Sequence, residues 1–308
     1  SALRATPTTR RGSESCGRDG AWRRARPDRQ LTEQPRTELL SSGGYRMDGR
    51  RAQELRSLEI SLSPHTASST SLVPASAGAV GQPDGAAKVD QGLSSVLVYV
   101  YGPREPVKVN RIVSQRTDKA SINVEVATAP WGSTEWRHRS HGERRVVELA
   151  NAIRSTFEPV LLTHQFPRSQ VNMVVEVLQQ DGSVLPTAIN ACTLALMDAG
   201  IPMIDYVTSL TCGLYGSTAL LDLNGTEERD LPYLTLAVQP RSGKVPLLQL
   251  DTRVHVDRFE SMVDIAVQAG SVLRDELEAA MRGRTARLVQ AMTKRGEAAE
   301  AGGEMDDR

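Results

Sequence analysis

Apolar and polar positions alternate with period two in RSLEISL (56–62) and in SINVEVAT (121–128), and each predicts a half-buried strand. In the second, Ile122, Val124 and Val126 share one face. SSVLVYVYG (94–102) is β-branched and aromatic, and predicts a strand stopped by a Gly-Pro pair. QVNMVVEVLQQ (170–180) predicts another, broken by Asp181-Gly182, and further strands are predicted over 205–215, 217–223, 232–239 and 244–251. Apolar residues at Val146, Leu149, Ile153 and Phe157 give 142–162 the stripe of an amphipathic helix. A second helix is predicted from about Thr187 to Ala199, with Pro186 at a start position that accepts proline. Gly200 and Pro202 end it, and a long helix opens near Asp257.

Adjacent hairpins without regular βαβ alternation predict a mixed α/β domain, an α+β two-layer body over 42–284. Residues 1–41 are rich in Arg, Pro, Ser and Thr and predict a disordered tail. A Ser, Ala, Thr, Gly and Pro run over 63–85 predicts a flexible insert. Residues 285–308 predict a polar extension of the last helix that frays past Gly296 into a disordered tail.

Charge changes this picture little. The 308 residues carry equal numbers of basic and acidic side chains, 37 of each, so any pull on an anion must be local. Cys16, Cys192 and Cys212 offer no CxxC pair, which argues against zinc and against a disulfide scaffold. Cys192 and Cys212 lie in apolar runs and are expected to be buried free thiols in a soluble protein of a reducing compartment. No apolar run approaches the roughly 20 residues that span a bilayer, and no membrane partner is expected. The common nucleotide cradles, GxGxxG and GxxxxGK[ST], are absent.

One stretch raises a chemical question. QQDGSVLPTAINACTLALMDAGIP (179–202) runs from an Asp-Gly turn through a hydroxyl into a new helix, the parts of a phosphate site. Basic residues also crowd in WGSTEWRHRSHGERR (131–145), where Arg137, Arg139, Arg144 and Arg145 interleave with Trp136, His138 and His141. That mixture suits single-stranded RNA. The two histidines lack carboxylate or Cys partners at metal-ligand spacing, and His164 and His255 stand alone.

GYRMDGRRAQELRSLEI (44–60), VYGPREP (100–106), GERRVVELANAIRSTFEPVLLTHQFPRSQVNMVVEVLQQDG (142–182) and LMDAGIPM (196–203) together resemble the RNase PH family. Within it they are most similar to the eukaryotic RNA exosome core subunit of the ribosomal-RNA-processing-forty-one type, which corresponds to the catalytic subunit of the archaeal exosome. The likeness covers about Gly44 to Met281. It implies an RNase PH-like fold that pairs with a sister subunit and closes into a six-membered ring through which RNA is threaded. Active members degrade RNA from its three-prime end by phosphate attack.

Phosphorolysis calls for an arginine fork on the phosphate, helix amides beside it and a carboxylate-bound divalent ion. Active members of the family carry a Gly-[Ser/Thr]-Arg triplet where this chain has Ser183, Val184 and Leu185. The spacing from Asp181 to Asp198 matches without a gap, and sliding by one still leaves Val184 in the arginine place. The family's two metal-binding aspartates map to Asp222 and Glu228. Six residues of strand would part them by about 20 Å, so they converge only if the chain doubles back, for which Asn224-Gly225 is a turn signal.

The expectation is therefore a non-catalytic subunit with a degenerate phosphorolytic site, holding neither cofactor nor metal. It would guide RNA over Arg137, Arg139, Arg144 and Arg145 toward a hydrolytic nuclease, with other RNase PH-like subunits and cap subunits as partners. The resemblance further implies a place in the nucleus and nucleolus, and also in the cytoplasm. The alternative is an active phosphate-dependent exoribonuclease whose site is shared with its partner subunit.

Overall fold

The computed structural model describes residues 39–41, 43–63, 83–105, 118–132, 143–250 and 252–303. Outside them fall most of the 1–41 tail with Cys16, the bulk of the 63–85 insert, residues 133–142 of the basic stretch and the last five residues.

Nine strands form two sheets. The first is ordered β1-β2-β3-β5-β4, from β1 (Leu58–Leu62), β2 (Gly85–Gln91), β3 (Ser94–Arg104), β4 (Ser121–Thr128) and β5 (Gln170–Gln179). All its pairings are antiparallel except β4 with β5, which run parallel from Ser121 opposite Gln170 to Thr128 opposite Val177. The second is antiparallel and ordered β7-β6-β8-β9, from β6 (Thr208–Tyr215), β7 (Thr218–Leu221), β8 (Tyr233–Gln239) and β9 (Lys244–Leu250).

The helices are α1 (Arg144–Phe157), α2 (Val184–Asp198), α3 (Gly225–Asp230) and α4 (Val256–Gly303). Helix α1 buries Ile153 and Phe157, the inner end of its predicted stripe. Helix α2 is buried at every residue from Pro186 to Leu196, because it packs on β2 and β3 of the first sheet and on β6 and β8 of the second. Its core-facing small residues allow that approach. At Gly85 an added Cβ would stand 2.4 Å from the Ala195 carbonyl oxygen, so β2 meets α2 backbone to backbone. Two polar side chains on α2 fix its height against the second sheet. Asn190 exchanges hydrogen bonds with the Ser209 backbone at 2.9 and 2.8 Å, and Thr193 donates to the Val207 carbonyl at 2.8 Å.

The mixed α/β architecture expected from the patterning is present. Three local readings change. β2 was not expected, since GAAKVDQ is small and polar enough to pass for loop, yet its central pairing between β1 and β3 buries most of it. β3 runs through Gly102-Pro103 to Arg104, and the missing proline donor falls where the register with β5 is irregular. Helix α4 continues past Gly296 to Gly303, so a single glycine in a good helix-forming run does not end it.

Candidate functional site

The β5–α2 loop is held by neighbours on both sides. The Asp181 amide donates to Ser94 Oγ at 3.0 Å, and Ser94 Oγ donates to the Gly182 carbonyl at 2.7 Å. Gly182 has φ +74, and a Cβ there would lie 2.6 Å from the Asn224 carbonyl carbon and the Gly225 nitrogen. Ser183 is left-handed too, with φ 52, and is buried. Its hydroxyl does not cap α2, the usual service of a serine at this position. It turns inward instead, donating to the Leu223 carbonyl at 2.9 Å and lying 2.6 Å from Thr211 Oγ1.

The amides at the start of α2 are where an anion would sit. The Ser183 N–H already donates to Glu228 Oε2 at 3.1 Å, which places a carboxylate at the positive end of the helix. Pro186 is the third helical residue and has no N–H to offer, so the seat lacks a donor that most residues would supply. Val184 and Leu185 are half-buried, and Leu185 packs against the main apolar core. Leu185 thus replaces a cation with a packing contact.

Asp222 and Glu228 are not arranged as a metal pair. Asp222 is fully buried, with φ 54, and its oxygens are occupied by one arginine. Arg56 donates from Nε and Nη2 to Asp222 Oδ1 at 2.9 and 2.6 Å, and from its backbone amide to Oδ2 at 2.9 Å. Burial alone would raise the Asp222 carboxyl, but the hydrogen bonds and charge of Arg56 outweigh it and hold it below the usual carboxylate range, with Gln91 adding a further bond. A divalent ion on these oxygens would have to displace a buried guanidinium. Glu228 meanwhile faces the Ser183 amide. The two residues do not fit a shared cation, and no group of three or more His, Cys, Asp or Glu among the described residues could hold one.

The turn expected at Asn224-Gly225 is instead the start of α3, closed by a capping box between Asn224 and Glu227. Asp222 and Glu228 are separated by a helix start, not by a doubled-back hairpin. The segment before β1 locks this region from outside. Arg46 donates to the Leu221, Asp222 and Ala52 carbonyls at 2.6, 3.2 and 2.6 Å and pairs with Glu227 at 3.5 Å. Arg50 donates to the Asp222 carbonyl and to Asn224 Oδ1, each at 3.1 Å. Arg46, Arg50 and Arg56 were not foreseen as site residues. Their signal was an arginine-rich run entering a strand, but nothing local named their acceptors.

Of the basic residues, Arg137 and Arg139 lie outside the described residues, with Trp136, His138 and His141. Arg144 and Arg145 are the first two residues of α1 and are exposed. Arg144 bonds Glu148 at 2.7 Å, but at 91% exposure such a pair holds the side chain only weakly. Helix α1 is the crossover between the parallel strands β4 and β5. Its first turn therefore lies toward their carboxyl ends, the end that carries the 181–183 loop and where α/β sheets receive ligands. His164 is exposed in a short turn, and His255 is exposed and faces Asp257 at 3.5 Å. Cys192 and Cys212 are free and buried; burial pushes the Cys212 thiol up to about 12 and the Cys192 thiol further.

Two family models match the chain: "3' exoribonuclease family, domain 1" (RNase_PH) over residues 54–202 and "3' exoribonuclease family, domain 2" (RNase_PH_C) over 205–269. The exosome complex component RRP41 of Mus musculus is 39% identical over 246 residues, 80% of this chain and 94% of its own. The component SKI6 of Saccharomyces cerevisiae is 36% identical over 249 residues, again 80% of this chain and 94% of its own. Among solved structures, rice Rrp46 superposes with a TM-score of 0.62 at 24% identity, covering 76% of this chain and 99% of that one. A chain of the Archaeoglobus fulgidus exosome with RNA bound to the active site gives 0.61 at 20% identity, with 76% and 93% covered. These two likenesses establish the fold.

Proposed function

We propose, from the premise that the chain belongs to the 3' exoribonuclease family of the RNase PH type, that it is a ring subunit of an RNA exosome which guides RNA without cleaving it. One observation carries the non-catalytic part. The amide at the head of α2 is taken by the chain's own Glu228 carboxylate, while Leu185, in the family's arginine place, is packed toward the core. Inorganic phosphate would meet a negative charge there and no cation from this loop. Without a charge-assisted clamp the attacking anion is neither held nor aimed.

RNA passes over the arginines that open α1 and precede it, on its way to a separate hydrolytic nuclease. Sister RNase PH-like subunits complete the ring, cap subunits cover it, and the assembly works in the nucleus, nucleolus and cytoplasm. To test the reading, the ring is assembled with its sister subunits but without the hydrolytic nuclease, and given oligouridylate and inorganic phosphate. No phosphate-dependent release of nucleoside diphosphates is expected. Sustained release would overturn the non-catalytic reading and point to an arginine supplied across the subunit contact.

A further inference from the structure

Trp131 is 72% exposed, an unusual state for the largest side chain in the set. It does not sit on a loose loop. The Ala129 amide donates to the Val177 carbonyl at 2.8 Å, the Gly132 amide to the Ala129 carbonyl at 2.9 Å, and the Gln180 amide to the Gly132 carbonyl at 2.8 Å. Gly132 also lies so close to β5 that an added Cβ would stand 2.9 Å from the Leu178 carbonyl oxygen. The turn is thus fastened on both sides of Trp131 to the last residues of β5. The indole is presented to solvent from a rigid mount.

Its position gives the exposure a meaning. β4 and β5 are parallel neighbours, so the Trp131 turn stands beside the Gln180–Ser183 loop at the carboxyl ends of both. On the other side of β5, the tip between β2 and β3 puts Leu93, 64% exposed, next to the Ser94 that holds Asp181 and Gly182. The start of α1, with exposed Arg144 and Arg145, lies toward the same end. An exposed flat aromatic with cations nearby, on a rigid edge, is the arrangement that stacks an unpaired base while the phosphates are neutralised.

We propose that Trp131 is a base-stacking platform for single-stranded RNA at the rim of the degenerate phosphate loop. The inference rests on the RNA-guiding reading and deepens it by naming a contact that is aromatic, not ionic. A stacking contact is sequence-tolerant, since every base has a π-face, which suits a subunit that must pass any RNA.

The test uses the assembled ring and an oligouridylate probe, with affinity measured across a salt series. Trp131→Ala should weaken binding about five- to hundredfold, Trp131→Phe should recover most of the loss, and the slope of log K against log salt should not change, because no charge is removed. An oligouridylate carrying 5-iodouridine should crosslink to the peptide containing Trp131. Unaltered affinity in Trp131→Ala, with no crosslink at that peptide, overturns the stacking role while leaving the RNA-guiding reading intact. Failure of the Trp131→Ala chain to enter the ring, with its fold preserved by circular dichroism, overturns it in favour of a contact with a partner subunit. Absence of RNA binding by the wild-type ring removes the reading on which the inference rests.

Discussion

Arg56 and Asp222 form a buried ion pair with three hydrogen bonds, and the two residues stand 166 positions apart in the chain. The pair joins the segment before β1 to the connection between β7 and α3. Breaking it strands a charge in the interior. Arg56→Ala is expected to destabilise the chain by about 3–5 kcal/mol, read as a lower urea midpoint at unchanged slope. Arg56→Lys should recover only part, because an ammonium cannot reproduce the fork.

The same pair sets an acid limit. The folded Asp222 carboxyl lies below its unfolded value of about 3.9, so the unfolded chain takes up the proton more readily. Its stabilisation is complete above about pH 4 and is lost as pH falls through the folded value. The stability gap between wild type and Asp222→Asn should be widest near pH 6 and close as pH drops below 4, measured by urea unfolding across pH.

Restoring the family's arginine by Leu185→Arg should not restore chemistry. Leu185 packs against the core, so a longer charged side chain overfills that contact and costs about 1–3 kcal/mol. The expected result is a lower melting temperature with no phosphate-dependent release of nucleoside diphosphates by the ring. Appearance of that release would mean that the loop can still form a phosphate seat.

Gly182→Ala should cost about 2–3 kcal/mol, since the site demands both a left-handed backbone and contact with the Asn224–Gly225 peptide. Thermal unfolding measures the loss. A nearly neutral change would show that the loop can move away from α3.

Arg144 and Arg145 are exposed and free to meet phosphates. Replacing both by Ala should lower the affinity of the ring for oligouridylate and reduce the salt slope by about 1.4, two contacts at about 0.7 each for a single strand. A salt titration with both forms checks it, and an unchanged slope would show that these two residues contact no phosphate.

Much of this was legible along the chain. Period-two runs located eight of the nine strands, although their ends shifted by a few residues. The buried stretch of α2 and the stripe of α1 could be read from apolar spacing alone. β2 was missed because Ala, Lys and Asp carry little strand signal, and it is a strand through pairing on both sides. The Asp222–Glu228 connection was misread because Asn-Gly favours a turn but serves equally as a helix start when Glu227 stands three residues on.

What the sequence determined by itself was the set of local preferences, and one fact of composition: no arginine at Ser183, Val184 or Leu185. Tertiary structure decided what fills the place that arginine leaves. Ser183 turns its hydroxyl to Thr211 and Leu223, Glu228 reaches the helix amide from 45 residues away, and Arg56 claims Asp222. Each of these is a pairing between charges or hydrogen-bonding groups that burial leaves no alternative partner, and burial is a property of the packed chain, not of any residue within it.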